Sequence, residues 1–315
     1  MQQSSAALLA SALVLTSSFT ASAYCRTHTC EFDGRQLCEV DPETGCGTGG
    51  ELARWDSSCI TFAVQVDGSD DEGISAETLS ELVSAGFRSW SDGDCDGAGP
   101  SVLSPSLAAS YRGETVCDQV EYNCGEPNDN IVMFRDDVSS LSANTIALST
   151  IIANLRTGEI LDVDIEINSQ DFDFYISPEA PKPGAQDLRL VLNHELGHML
   201  GLSHSTDSQA LMRAEYEGSD PLPAGDDVSG MCSVFATSDE DPSCRVEVIL
   251  GSGACVGIDG VCPGVVPSDR SGCSFPAGQM TGWGGFVMGV GLGLCGLWRR
   301  RRKPRCSSRP CPPRH

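Results

Sequence analysis

An α+β fold is predicted by three features of the sequence. A strand-like alternation, "CITFAVQVD" (Cys59 to Asp67), is followed directly by a helix-period stretch. Three further strand-like runs come next, and a second helix-period stretch follows them. The order strand, helix, several strands, helix describes a mixed sheet with helices packed on it.

Each element has its own signal. In "SAETLSELVSAGFRSW" the residues Leu79, Leu82, Val83, Gly86, Phe87 and Trp90 fall on one helical face. Ser75 is the expected N-cap, and Glu77 suits the positive end of that helix. A long loop rich in Cys, Gly and Asp runs from Ser91 to about Gly99. "NIVMFRDD" (Asn130 to Asp137), "TIALSTII" (Thr145 to Ile152) and "GEILDVDIEIN" (Gly158 to Asn168) are the expected strands, the last with Ile160, Val163, Ile165 and Ile167 as its apolar content. "GAQDLRLVLNHELGHML" then places Leu188, Val191, Leu192, Leu196 and Met199 at helical spacing.

The ends of the chain point outside the cell. Residues 1–23 carry no charge, and their apolar run from Ala6 to Phe19 ends in Ala21-Ser22-Ala23, the pattern of a signal-peptidase site. Sixteen cysteines at irregular spacings suit disulfides in an oxidising compartment. Five of them fall in a Cys- and Gly-rich lead segment and just beyond it, at Cys25, Cys30, Cys38, Cys46 and Cys59. At the other end "WGGFVMGVGLGLCGLW" (Trp283 to Trp298) precedes the basic block Arg299 to Lys303, an apolar segment with its positive charge on the cytoplasmic side. The expected organisation is therefore 1–23 signal peptide, 24–55 lead segment, 56–237 main domain, 238–272 a Cys-, Gly- and Pro-rich stalk, and 273–315 the tail.

Net charge is −24, and removing the eight basic residues after Trp298 leaves −32. Nucleic acid and anionic lipid are poor partners for so acidic a globular part. An acidic surface of this kind keeps an exported protein soluble.

The chemistry concentrates in "HELGHMLGLSH". His194 and His198 are four residues apart, so on a helix both imidazoles leave one face, one turn apart. Glu195 follows the first ligand and is placed to reach a water in an open metal position. Gly201 accepts the backbone conformation that ends the helix, and the returning chain brings His204 as a third ligand. Three neutral imidazoles plus water is the ligand set of a catalytic Zn²⁺. Such an ion lowers the pKa of its water and polarises a carbonyl, and Glu195 takes the proton from the zinc-bound water and passes it to a leaving amine. No other internal histidine lies between His28 and His315, so this is the expected His-based zinc site.

Extended in this way, the pattern resembles that of the metzincins, and "HELGHMLGLSHSTDSQALM" is similar to the site of the matrixin branch, the matrix metalloproteinases and their bacterial relatives. The resemblance takes in "ITFAV", "AGFRSW", "TGEILDVDIEIN", "DLRLVLN" and "AGDDVSGMCSVF", and covers roughly residues 56 to 237. It implies a metzincin-like domain with a twisted mixed β-sheet, an active-site helix and a C-terminal helix, between small disulfide-rich flanks. It implies a zinc-dependent endopeptidase acting on protein or peptide substrates, with Met212 as the methionine of the Met-turn beneath the metal. Tyr216 keeps the last position of a family motif that walls the main specificity pocket. "MRAEY" otherwise departs from that motif, with Arg213 and Ala214 where the family has tyrosine and proline. The histidines of the family's second, structural zinc are absent. Calcium is a further candidate ion around Asp162 and Asp164, the other reading being solvated strand-end carboxylates. The family's latency motif, a free cysteine in Pro-Arg-Cys-Gly, is missing, leaving the front cysteines either as a thiolate switch or, in the better reading, as disulfides.

The tail has its own resemblance. Gly272-Cys273 ahead of the apolar run and arginines is similar to the C-terminal sorting tails of myxobacterial surface proteins, which implies processing near Cys273 and display at the cell surface. An ordinary membrane anchor is the other reading, and both place the folded part outside. The competing function is a non-catalytic surface adhesion or binding protein built on a protease-like scaffold, against which stands the intact Glu195.

Overall fold

The computed structural model describes residues 23–31, 38–95, 104–105, 107–122, 128–136, 141–179, 183–214, 220–223, 225–235, 237–238 and 265–267. Nearly all of the expected signal peptide and stalk, the whole of the expected tail, and Tyr216 lie outside them. Among the described residues no helix is long and apolar enough to cross a membrane.

One six-stranded mixed sheet dominates. Its strands are β1 (Cys59–Gln65), β2 (Ala108–Thr115), β3 (Ile131–Phe134), β4 (Ala147–Asn154), β5 (Ile160–Ile167) and β6 (Val265–Pro267), arranged β6-β4-β5-β3-β1-β2. β2, β1, β3 and β5 run parallel, and β4 runs antiparallel to β5 and β6. With two α-helices packed on it and a third against the shorter pairings beside it, this is an α+β fold. β2 was not foreseen: "AASYRGET" is half-exposed along its length and has no apolar alternation. It is held at the sheet edge by parallel pairing with β1.

Helix α1 (Ala76–Ser91) starts where its cap predicts, with the Ser75 side chain accepting from the Thr78 amide at 3.1 Å. Its face of Leu79, Val83, Gly86, Phe87 and Trp90 is buried, and Leu82 lies at the margin. Helix α2 (Leu188–Met199) is capped by Asp187, which accepts from the Arg189 amide at 3.0 Å. The two helices cross at Gly86, where a side chain would overlap Asn193 and Leu196. Trp90 closes the contact by donating its indole N–H to the Asn193 carbonyl at 3.0 Å. A buried indole needs such an acceptor, so this bond and the close crossing fix α2 relative to α1. Helix α3 (Asp226–Val234) follows, tied to the end of α1 by the Cys95–Cys232 disulfide.

The lead segment is stitched into the domain. It carries the disulfides Cys25–Cys46 and Cys30–Cys38, and Cys25–Arg26 pair antiparallel with Leu202–Ser203 just after α2. Arg26 donates to the carbonyls of Ala53 and Ser233, and Trp55 Nε1 donates to the Met199 carbonyl at 2.8 Å. All five front cysteines, Cys59 included, are disulfide-bonded, so none of them is a thiolate switch.

Candidate metal centre

α2 brings the predicted ligands together. His194 and His198 project from one face and are fully buried. The helix ends at Leu200, whose amide donates to the Leu196 carbonyl. Gly201 then turns the chain at φ 99°, a conformation that favours glycine. A side chain there would also press on the Ala53 carbonyl. The short pairing of Leu202–Ser203 with Cys25–Arg26 sets the direction of return and delivers His204.

The three imidazoles converge through Nε2. His198 Nε2 lies 3.1 Å from His194 Nε2 and 3.2 Å from His204 Nε2. His194 Nδ1 is 2.8 Å from the Leu211 carbonyl, and His198 Nδ1 is 2.9 Å from that of Leu202. A carbonyl only accepts, so in both rings Nδ1 carries the proton and Nε2 presents a lone pair. Lone pairs at such distances repel unless a cation lies between them. Tetrahedral zinc with Zn–N bonds of about 2.0–2.1 Å places its nitrogens about 3.3 Å apart, close to the spacing found. Burial pushes His194 down to about 3, helped by the charge of His204, and pushes His204 down to about 4. Burial also drives His198 well below its ordinary value. All three are held neutral, the state in which imidazole ligates a metal.

A buried carboxylate orders the floor of the site. Asp227, in the first turn of α3, accepts from the amides of Leu211 at 2.8 Å and Met212 at 3.0 Å. The Leu211 carbonyl is the one that orients His194, so a single chain of bonds runs from α3 to a ligand. Met212 is buried, and its sulfur packs on Gly197 of α2, where a methyl group would overlap both it and Trp90. This explains the glycine directly before His198. Arg213 turns outward and donates to the Ser208 carbonyl at 3.1 Å.

Glu195 is fully buried beside the ligands, and the Ser149 hydroxyl of β4 lies 2.7 Å from its Oε2. Neither Ser149 nor Asp227 was singled out from sequence. Each is one common polar residue whose partner lies far along the chain. The Asp-Asp pair opening the last helix was the one signal for Asp227.

Asp162 and Asp164 are not solvated strand ends. They sit within β5 with no exposure, on the face opposite Val163, Ile165 and Ile167. Along that acidic face Glu166 pairs with Arg135 at 2.7 Å, and Asp164 accepts from the amides of Glu121 and Ile131 at 2.8 and 2.7 Å. Neither oxygen of Asp162 has a hydrogen-bond partner. The neighbours that bear on its charge are Asp164, Glu121 and Asp129, all acidic, and burial together with them pushes its carboxyl well up.

Comparison with known proteins agrees with this geometry. Residues 119–236 match the family model described as Matrixin. Matrix metalloproteinase-27 of Homo sapiens is 42% identical over 60 residues, 18% of this chain and 12% of that protein. Stromelysin-1 of Rattus norvegicus is 42% identical over 64 residues, 19% and 14% of the two chains. Interstitial collagenase of Oryctolagus cuniculus is 48% identical over 58 residues, 18% and 12%. The chain thus spans only about an eighth of the length of these curated relatives. The match from 119 to 236 encloses the three clustered histidines, and over that stretch the chain is similar to the Matrixin family.

Proposed function

We propose that the chain is a zinc-dependent endopeptidase, exported and displayed at the cell surface, in which Glu195 is the general base. The observation that carries this reading is the convergence of three imidazoles, two of them oriented by backbone carbonyls, beside a buried carboxylate. Zinc, when bound by His194, His198 and His204, supplies Lewis acidity and an open coordination position. The chain does the remainder. Neutral ligands leave the cation's charge undiminished. Glu195 accepts the proton of the attacking water on a carboxylate oxygen and returns it to the leaving amine nitrogen as the peptide C–N bond breaks. Water is the nucleophile, so no side chain is acylated. Tyr216 stays a proposed wall of the specificity pocket. In the direct test, the zinc-loaded chain cleaves an unfolded protein, a chelator stops cleavage, and added zinc restores it. Inertness of the zinc-loaded chain would leave the adhesion-scaffold reading in its place.

Calcium at Asp162 is part of the proposal. A buried carboxylate with no partner and only acidic neighbours is costly unless a proton or a cation neutralises it. Oxygen-rich sites of this kind suit Ca²⁺. With zinc loaded, saturating calcium at about 100 times its Kd should stabilise the wild type by about 2.7 kcal/mol, or roughly 5–10 °C in Tm. Asp162→Asn should abolish the response and, without calcium, melt above the wild type. A wild-type Tm indifferent to calcium would remove the ion from the proposal.

Display rests on the tail and the signal sequence. Mass spectrometry of surface protein should find the chain ending near Cys273. An intact "RRRRK" peptide on the mature protein would exclude processing.

A further inference from the structure

We infer that Ser149 is a positioning residue that anchors the general base, a role resting on the peptidase reading of Glu195. Ser149 lies on β4, opposite Ile165 of β5 in a ladder that pairs β4 along nearly all its length. Its Cα is therefore carried by the sheet and not by a loop. The side chain is fully buried, and its Oγ lies 2.7 Å from Glu195 Oε2 and 3.1 Å from the Glu195 carbonyl. A hydroxyl has one proton to donate. The carbonyl belongs to a helix interior, where the amide four residues on is its regular partner. The shorter contact, to a carboxylate in the ionised form a general base requires, is the stronger bond.

The bond matters because the contacts that set the helix and its ligands lie away from the Glu195 carboxylate. The histidines are oriented by Leu211 and Leu202, and the helix by Asp187 and Trp90. None of those contacts fixes the end of the Glu195 side chain, which has three rotatable bonds. Ser149 holds Oε2 against the sheet, so that the plane of the carboxylate is set before substrate arrives. In this way the strand and the metal helix are coupled at the reacting group.

The test uses the full zinc-loaded chain and a fluorogenic peptide. Ser149→Ala should lower kcat by about 10- to 100-fold, the scale of a misplaced reacting group, while KM and zinc content stay within twofold. Ser149→Thr, which keeps the hydroxyl on a strand-compatible side chain, should recover most of that loss. Ser149→Val, of the same shape without the hydroxyl, should not. Wild-type kcat in Ser149→Ala would overturn the inference. So would equal activity of the Thr and Val variants, or a loss accompanied by a matching loss of zinc, since each makes the role structural. A wild type that binds zinc but cleaves nothing is a different result: it overturns the peptidase reading and takes this role with it.

Discussion

Glu195→Ala is expected to reduce peptide hydrolysis by about 10²- to 10⁴-fold, the usual contribution of a positioned general base, while the protein keeps its zinc. The separation of the two effects follows from the structure. Each ligand that is oriented takes its orientation from elsewhere: His194 from Leu211, His198 from Leu202, and the course of the chain to His204 from its pairing with the lead segment. Glu195 contributes to none of these bonds. Its removal does leave the Ser149 hydroxyl without the carboxylate, but the Glu195 backbone carbonyl at 3.1 Å stays in place as an acceptor. A fully buried carboxylate also carries a desolvation cost that alanine does not. The variant should therefore melt no more than a few degrees from the wild type. Glu195→Gln should be as inactive as the alanine variant, because the amide keeps the shape but cannot take the proton. The measurements are kcat/KM on an unfolded protein and zinc stoichiometry on the same sample. A variant with full zinc and more than a tenth of wild-type activity would show that another group accepts the proton.

The parts of the molecule legible in sequence are those where local physics and tertiary demand coincide. α1 and α2 carry apolar residues at helical period, and the expected Ser75 cap is the cap found. The histidine spacing needs only the helix repeat and one glycine turn to be read as a cluster. What stayed hidden depends on partners distant in the chain. β2 is stabilised by its ladder with β1 and shows no pattern of its own. The acidic positions of β5 look like the polar side of a half-exposed strand. On that face of the sheet Ile131 and Met133 of β3 cluster with Cys117, and the carboxylates of β5 are buried with them. Leu161 is an extra residue in the β4–β5 register, which shifts Ile160 out of strict alternation with Val163. A period-two reading of "EILDVDIEI" cannot anticipate that.

Asp227→Ala is expected to be the most damaging substitution outside the histidines. Its carboxylate is 1% exposed and accepts two main-chain N–H groups, those of Leu211 and Met212. Both residues are buried, so water cannot replace the lost acceptor. Leaving a buried donor unsatisfied costs about 1–3 kcal/mol, so two together cost roughly 2–6 kcal/mol, which in a domain of this size lowers Tm by about 5–20 °C. The damage extends to the metal. Loosening Leu211 releases the carbonyl that holds the His194 Nδ1 proton, and loosening Met212 disturbs the sulfur packed on Gly197. Loss of such an outer partner typically weakens zinc about 10- to 100-fold. Asp227→Asn separates the two functions of the carboxylate. The amide keeps one acceptor oxygen and gains N–H groups that clash with a backbone donor, so it should recover only part of the stability. If Asp227 acted as a helix-end charge alone, Asp227→Asn would cost well under about 1 kcal/mol, and zinc affinity would not change. Denaturation curves and zinc titrations on the two variants decide between these outcomes, and a joint loss of stability and zinc places the Leu211–Met212 segment, rather than α3 itself, as the element Asp227 holds.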